Sequence, residues 1–138
     1  MMKQLARKLG LKPGMRALII APPRGYLNLL TPLPDSPTVS SKADGVYPFV
    51  HVFAMRLSEI SEFAKKLPKY AAPNALVWIS YPKKTSKLKG NLSRDVIRKA
   101  MSCPGWRAVS IVAIDEEWSA LRFRPAGQEG SRSQSRAD

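Results

Sequence analysis

The chain has 138 residues, of which 44% are apolar, so it is long enough to close one globular domain around a hydrophobic core. Its single cysteine, Cys103, and single histidine, His51, exclude an internal disulfide and cysteine-rich metal sites, and they fit a reducing cytoplasm. No apolar run approaches the ~20 residues that cross a bilayer, and the first residues lack the apolar segment of a secretory signal. We therefore expect a cytoplasmic protein that has no membrane role.

The formal net charge of +13 comes mostly from two segments. Residues 1–24 contain six lysines and arginines and no acid, and residues 83–99 contain seven against Asp95. A field of this sign favours anionic partners, which include nucleic acid, phosphate-bearing ligands and acidic proteins. A basic surface that only keeps the protein soluble explains the same charge.

The first part of the chain alternates helical and extended patterns. Residues 2–9 predict a short helix that ends at Gly10, and residues 16–21 predict a buried strand that stops before two prolines. Residues 26–30 suit one or two helical turns. Residues 38–41 have an extended pattern, which either a weak edge strand or a loop explains.

A strand and an amphipathic helix come next. Residues 49–54 are rich in β-branched and aromatic side chains, which is typical of a strand. Residues 58–67 place apolar side chains on one helical face, with Ser58 as the predicted N-cap and Pro68 as the end of the helix. The acidic residues of this helix come early and its lysines late, as the helix dipole prefers.

The segment ALVWISYPKK, residues 75–84, predicts a central strand that opens onto a lysine-rich loop. Ser93 is the predicted cap of a third helix, which ends at residues 103–105. Residues 106–114 and 118–124 then predict two strands that are close enough in sequence to form an antiparallel hairpin.

Strand and helix alternate three times before the hairpin, and this alternation predicts the α/β fold class. We expect a single three-layer α/β/α Rossmann-like domain over residues 1–125, with a mainly parallel sheet ending in an antiparallel β-hairpin. The predicted order across the sheet is residues 38–41, 16–21, 49–54, 75–82, 118–124 and 106–114. Residues 126–138 should form a disordered polar tail. The weakly covered edge beside the first strand leaves a homo-oligomer through that edge strand as an open alternative.

Four segments resemble a family of small, uncharacterised bacterial proteins, the domain-of-unknown-function family 3052. They are LGLKPGMRALIIAPPRGY near the start, LVWISYPKK in the middle, and NLSRDVIRKA followed by AIDEEWSALRF at the end. They are spread over most of residues 5–124, so the resemblance covers the domain and not one motif. The family has no established activity, and the resemblance therefore implies no particular chemistry.

The predicted architecture is also similar to a shortened class I methyltransferase. In that fold S-adenosylmethionine lies on a glycine-rich turn after the first strand, and an acidic residue closes the next strand. Here the turn is APPRG, residues 21–25, and its two prolines remove backbone donors that such a turn supplies. Serines and a lysine stand at residues 40–42, where the resemblance implies a carboxylate. We therefore expect no cofactor, and a degenerate S-adenosylmethionine-dependent methyltransferase remains an alternative.

In an open α/β sheet, ligands bind beyond the carboxyl ends of the strands, near the point where the strand order reverses. Basic and hydroxyl side chains are predicted to meet at this edge and to form a candidate anion site: Arg24, Ser80, Tyr81, Lys83 and Lys84. Positive charges combined with hydroxyl donors suit an anionic small molecule or an acidic protein.

The acidic run Asp115, Glu116 and Glu117 offers charge partners for the same lysines. In that interpretation the acids neutralise the basic loop, and Trp118 packs under it. Both interpretations of the loop remain open at the level of the sequence.

The sequence contains no recognisable catalytic constellation. His51 lies inside an apolar strand, which favours a buried core histidine, and Cys103 follows a helix C-terminus, where the dipole disfavours a thiolate. We therefore expect a non-catalytic α/β domain that binds an anionic ligand or an acidic partner. A nucleic-acid-binding accessory protein is the alternative, because residues 83–99 suit a phosphate backbone and Tyr81 could stack on a base.

Overall fold

A computed structural model describes residues 3–12, 15–26, 38–40, 45–85, 92–102 and 105–125. No helix in these ranges is long and apolar enough to cross a membrane. Of the helical turns predicted at residues 26–30, only Tyr26 is described. Cys103 and the predicted tail at residues 126–138 lie outside the described residues.

Helices and strands follow one another in nearly the predicted sequence. They are α1 (Lys3–Leu9), β1 (Arg16–Ile20), β2 (Thr38–Ser40), β3 (Tyr47–Phe53), α2 (Leu57–Tyr70), β4 (Ala71–Pro82), α3 (Arg94–Ser102), β5 (Trp106–Ala113) and β6 (Trp118–Pro125).

The strands form one mixed sheet in the order β2-β1-β3-β4-β6-β5. Neighbours are parallel from β2 to β4, and β6 is antiparallel to both β4 and β5. This arrangement confirms the predicted fold class and the predicted strand order. The extended pattern at residues 38–41 is therefore an edge strand, with Thr38 beside Arg16 and Ser40 beside Leu18.

The α1 face of the sheet is the side on which Leu5 and Leu9 of α1 pack with buried strand residues. The indole Nε1 of Trp78 donates a hydrogen bond of 2.9 Å to the carbonyl of Leu9, which ties the end of the helix to β4. Gly10 follows with φ of +82°, a left-handed conformation that ends a helix at low cost in glycine. The short helix is thus held by its contact with the sheet.

The α2–α3 face is the opposite side, on which both later helices pack. Ile60, Phe63 and Leu67 of α2 are buried there, and so are Ile97 and Met101 of α3. Apolar residues recur every three or four positions in both helices, so each presents one continuous apolar stripe to the sheet. The sheet therefore has helices on both faces, as in a three-layer fold.

The predicted boundaries of α2 were wrong at both ends. The helix is capped by Arg56 rather than Ser58, and the Glu59 carboxylate accepts backbone hydrogen bonds from Met55 at 2.7 Å and Arg56 at 3.0 Å. These bonds satisfy amide donors that the helix itself leaves unpaired. At the other end the helix includes Pro68 and continues to Tyr70, because the burial of that ring extends the apolar stripe.

The start of β4 was also placed too late. The strand begins at Ala71, which lies beside Tyr47, whereas the regular register with β3 resumes only at Leu76 beside Phe49. Asn74 in between has φ of +63°, a left-handed conformation that asparagine tolerates better than most residues. A local irregularity therefore interrupts an otherwise continuous strand.

Candidate anion-binding site

The lysine loop is the segment that begins with Lys83 and Lys84. It follows the carboxyl end of β4, beside the start of β6. Pro82 lies opposite Trp118 in the antiparallel pair, and the backbone N–H of Lys83 donates a 2.8 Å hydrogen bond to the carbonyl of Glu117. The pairing therefore extends one residue past the strand, and it fixes where the first lysine leaves the sheet.

A pocket of about 250 Å³ opens between this loop and the start of α3. The residues that line it come from β4, the lysine loop, α3 and β6: Tyr81, Lys83, Lys84, Leu92, Ser93, Arg94, Asp95 and Ser119. The lining contains three cationic side chains, those of Lys83, Lys84 and Arg94, and one carboxylate, that of Asp95. The Asp95 carboxylate also lies 3.9 Å from the guanidinium of Arg98. The pocket therefore carries a net positive charge.

The N-terminus of α3 adds to the positive potential. The Ser93 Oγ accepts a hydrogen bond of 3.2 Å from the backbone N–H of Val96, and the Ser93 carbonyl accepts the first helical hydrogen bond from Ile97. Ser93 is therefore the cap that the sequence predicts. Helix N-termini carry a partial positive charge, so this end of α3 favours an anion.

Tyr81 supplies a hydroxyl group to the same pocket. Burial raises the pKa of this phenol, while the charge of Arg94 lowers it and that of Asp95 raises it. The hydroxyl is consequently protonated at neutral pH and is able to donate a hydrogen bond.

Two of the predicted site residues lie elsewhere. The Ser80 side chain is fully buried, and its Oγ is 2.6 Å from Nε2 of His51, so it does not line the pocket. Side chains alternate along a strand, and Ser80 therefore points away from the side on which Tyr81 lies. Arg24 is exposed beyond the end of β1. Because β3 lies between β1 and β4, Arg24 does not line the pocket at the end of β4.

The predicted charge partners build the turn of the hairpin. The Asp115 carboxylate accepts hydrogen bonds from the backbone N–H groups of Glu117 at 2.8 Å and Trp118 at 2.9 Å. Trp118 is buried against Phe53, with ring centroids 5.1 Å apart. Within the described ranges, no ion pair joins Lys83 or Lys84 to an acid.

Sequence reasoning missed Arg94 and Ser93 as members of this site. The signal was present, because Ser93 was already predicted to cap a helix that follows β4. A helix that crosses back over a sheet begins near the carboxyl end of the preceding strand, so its first residues lie beside the lysine loop.

A buried polar network lies on the other side of the same strand. The Tyr26 hydroxyl is 2.7 Å from Nδ1 of His51, whose Nε2 contacts Ser80, and all three side chains are buried. Burial lowers the pKa of His51 to about 3, so the ring is neutral, with one nitrogen donating and the other accepting. His51 is thus a core histidine, as the sequence favours, and it joins the residues after β1 to β3 and β4.

Comparisons by sequence find no relative: no family model matches the chain, and no curated protein does. Comparisons by structure find many similar folds. An S-adenosylmethionine-dependent methyltransferase from Aquifex aeolicus superposes with a TM-score of 0.61 and 17% identity over 88% of each chain.

Two further solved structures show the same likeness. The magnesium protoporphyrin IX methyltransferase of Synechocystis PCC 6803, with bound S-adenosylhomocysteine, has a TM-score of 0.59 and 12% identity over 88% of this chain and 78% of its own. Fibrillarin of Aeropyrum pernix, in complex with S-adenosylmethionine, has a TM-score of 0.60 and 7% identity over 82% of this chain and 67% of its own. At these identities the likeness is one of fold, and the chain has a methyltransferase-like, Rossmann-like core.

Proposed function

We propose that this protein is a non-catalytic domain with a methyltransferase-like core that binds a small anionic ligand in the pocket between the lysine loop and α3. The observation that supports the proposal is the convergence of Lys83, Lys84 and Arg94 on one pocket with the capped N-terminus of α3. Phosphate and carboxylate groups are the anions that such a set of donors binds. An acidic side chain of a partner protein presents the same carboxylate chemistry.

The chemistry of the lining supports binding rather than catalysis. The only histidine of the chain is buried away from the pocket, and the Tyr81 phenol has a raised pKa. Across the described ranges, no group of three or more His, Cys, Asp or Glu side chains is placed to hold a metal ion. The residues of the pocket thus supply positive charge and hydrogen-bond donors.

The proposal is tested by thermal unfolding of the double variant K83A/K84A. A ligand that binds only the folded state raises its melting temperature, so phosphate should stabilise the natural protein more than chloride does at equal ionic strength. We expect the double variant to lose this phosphate-specific increment. Lys65 and Lys69 are exposed on α2, so the K65A/K69A variant removes the same charge elsewhere and should keep the increment.

The same variant separates the two interpretations of the lysine loop. If the lysines serve a ligand, K83A/K84A should unfold in chloride with a free energy within about 0.5 kcal/mol of the natural protein. A much larger loss would show that the lysines are structural partners of the acidic turn. Equal stabilisation of the natural protein by phosphate and chloride would also contradict the proposal.

A second candidate function is residual binding of S-adenosylmethionine, which the fold favours. The residues after β1 do not fit that ligand well. Pro22 and Pro23 have no N–H to donate, and the ring of Tyr26 turns inward to His51 and packs on Phe53 with centroids 4.6 Å apart. These aromatic rings fill the carboxyl end of β1 and β3 on the α1 face, where the strand order reverses.

Isothermal calorimetry with S-adenosylmethionine and S-adenosylhomocysteine tests this candidate. We expect no binding heat at millimolar ligand, because Pro22 and Pro23 supply no backbone donor and the Tyr26 ring occupies the α1 side of the turn. Saturable binding of either compound would instead favour the degenerate methyltransferase. A displacement titration against phosphate would then show whether that ligand shares the pocket at the lysine loop.

We also propose that the chain belongs with the uncharacterised bacterial family that its motifs resemble. The motif LVWISYPKK forms most of β4 and the lysine loop, and AIDEEWSALRF forms the turn of the hairpin and β6. These motif residues thus build the centre of the sheet and one wall of the pocket. A common fold and a common pocket are what the family resemblance would predict.

A further inference from the structure

A second basic surface lies on the α1 face, away from the pocket. Trp118 and Ala120 of β6 pack into the core of this face. Because side chains alternate along a strand and the pairing of β6 with β4 is regular, Arg122 and Arg124 lie on the same face. Two arginines thus follow one another along one side of β6.

Arg107 of β5 joins them from the neighbouring strand. It is directly opposite Arg124 in the antiparallel pair, and its chain neighbours Trp106 and Ala108 pack on the α2–α3 face, so Arg107 lies on the α1 face. Like charges at directly opposed positions destabilise an antiparallel pair. Arg107 and Arg124 thus place two like charges side by side on this face.

Arg122 sits at the centre of this arrangement. Its Nε atom is buried and has no hydrogen-bond partner among the described residues. Burial, followed by the charge of Arg124, lowers the pKa of this guanidinium. A buried polar atom without a partner is rare in folded proteins, and an anion bound at the surface is one arrangement that relieves such a cluster.

The last turn of α1 extends the surface. Arg7 and Lys8 are exposed, and the carbonyl of the next residue, Leu9, accepts the hydrogen bond of Trp78. Trp78 lies directly opposite Arg122 in the sheet. The basic residues of α1 and those of the hairpin thus belong to one arginine face, which we define as Arg7, Lys8, Arg107, Arg122 and Arg124.

Acidic residues are segregated from this face. The sequences of α1, β5 and β6 contain no aspartate or glutamate. The acids of the described ranges lie on α2, on α3 and in the hairpin turn: Glu59, Glu62, Asp95, Asp115, Glu116 and Glu117. The elements that build the arginine face are therefore positive throughout.

We propose that the arginine face binds the phosphodiester backbone of double-stranded nucleic acid without reading its sequence. Its charges are spread over three elements, which suits several phosphates rather than one small anion. Trp118 of β6 and Trp78 of the neighbouring β4 are buried, and the half-buried Trp106 of β5 packs on the opposite α2–α3 face. Among the described residues, the arginine face therefore offers no aromatic platform on which a single-stranded base could stack. Duplex backbone is consequently favoured over single strands.

The test is fluorescence anisotropy with a labelled duplex of random sequence at NaCl concentrations between about 50 and about 200 mM. If all five side chains contact phosphates, the logarithm of the affinity should fall with the logarithm of salt at a slope of about −4 to −5. The R107Q/R124Q variant should bind at least about tenfold more weakly at the middle of this range, and its slope should be shallower by about two.

The matched control is K65Q/K69Q on α2, which removes two charges from the α2–α3 face and should bind as the natural protein does. Circular dichroism would establish that each variant folds. If R107Q/R124Q does not fold, the R7Q/K8Q variant on the exposed side of α1 is expected to give the same loss.

Three results would overturn the inference. An equal loss in the control would show that only net charge matters, and an unchanged affinity in the folded arginine-face variant would show that this face is not used. Tighter binding of a single strand than of a duplex of equal length would exclude the backbone of a double helix as the target. The pocket at the lysine loop is separate from this surface, so its K83A/K84A variant fails or succeeds independently.

Discussion

At the scale of single residues, the most informative side chain is His51, because it is both fully buried and hydrogen-bonded through both ring nitrogens. Its ring also stacks on Phe53, with centroids 4.4 Å apart. A neutral histidine in such a position satisfies two neighbours and fixes their geometry. The network therefore stabilises the centre of the sheet, and its protonation would oppose folding.

The pH dependence of stability follows from this burial. The folded-state pKa of His51 is about 3, below its ordinary value of 6.5, so the unfolded chain takes up a proton first as the pH falls. Stability is then complete above pH 6.5 and decreases toward pH 3, by about 1.4 kcal/mol per pH unit. We expect urea unfolding to show about 2 kcal/mol less stability at pH 5 than at pH 6.5.

The control for this effect is the H51Q variant, whose side chain does not titrate. Its stability should be nearly flat over the same interval, where carboxylates remain mostly ionised. Equal slopes for the variant and the natural protein would mean that His51 is protonated in the folded state, and they would contradict the buried network.

At the scale of secondary structure, the sequence predicted which elements form but misplaced several of their ends. The periodic spacing of apolar residues reflects which side chains are buried. This signal is clear inside a helix or strand and weak at its ends. The extension of α2 through Pro68 is decided by the packing of Tyr70, and the irregular start of β4 by its pairing with Tyr47. Neither contact is visible in a local sequence pattern.

Two serines test where the helices begin. Ser93 caps α3 through a side-chain hydrogen bond, whereas Ser58, the predicted cap of α2, lies inside that helix. We expect S93A to lower the free energy of unfolding by about 1 kcal/mol and S58A to change it by less than about 0.5 kcal/mol. Chemical denaturation of both variants checks this difference, and a larger effect at Ser58 would reverse the assignment of the caps.

At the scale of the whole molecule, the two basic segments of the sequence lie on different surfaces. The segment around Lys83 lines the pocket at the carboxyl edge, whereas α1 contributes Arg7 and Lys8 to the opposite face. Arg16, from the same N-terminal segment, is used structurally, because its guanidinium donates to the Val46 carbonyl at 2.8 Å and lies 4.3 Å above the Tyr47 ring. The charges are thus distributed over three places in the fold: the pocket, the α1 side of the molecule and the contact of Arg16 with Val46 and Tyr47.

An excess of 13 positive charges also predicts how salt affects stability. Like charges repel one another more in the compact state than in the unfolded chain, and salt screens this repulsion. We expect the melting temperature to rise by a few degrees between about 20 and about 200 mM NaCl. The K65Q/K69Q variant, with two fewer charges, should show a smaller rise, and a fall in melting temperature with salt would contradict this account.

The candidate site was predictable only in part. Tyr81, Lys83 and Lys84 follow a strand in sequence, so the general rule for α/β sheets was enough to bring them to one edge. Alternation along the strand separates Ser80 from Tyr81, but it does not tell which of the two side chains faces α3. Arg94 was missed, although a helix that crosses back over a sheet begins near the carboxyl end of the preceding strand, which places the first residues of α3 beside Lys83 and Lys84.

By itself the sequence determined the α/β class, the order of the strands and the positive charge. These follow from hydrophobic periodicity, from the handedness of strand crossovers and from composition, all of which are local or general properties. Only the tertiary structure decided that Ser80 and Tyr26 form hydrogen bonds with His51 in the core. It alone also united α1 with Arg122 and Arg124 on one face, because contacts between distant segments depend on how the sheet is covered and paired.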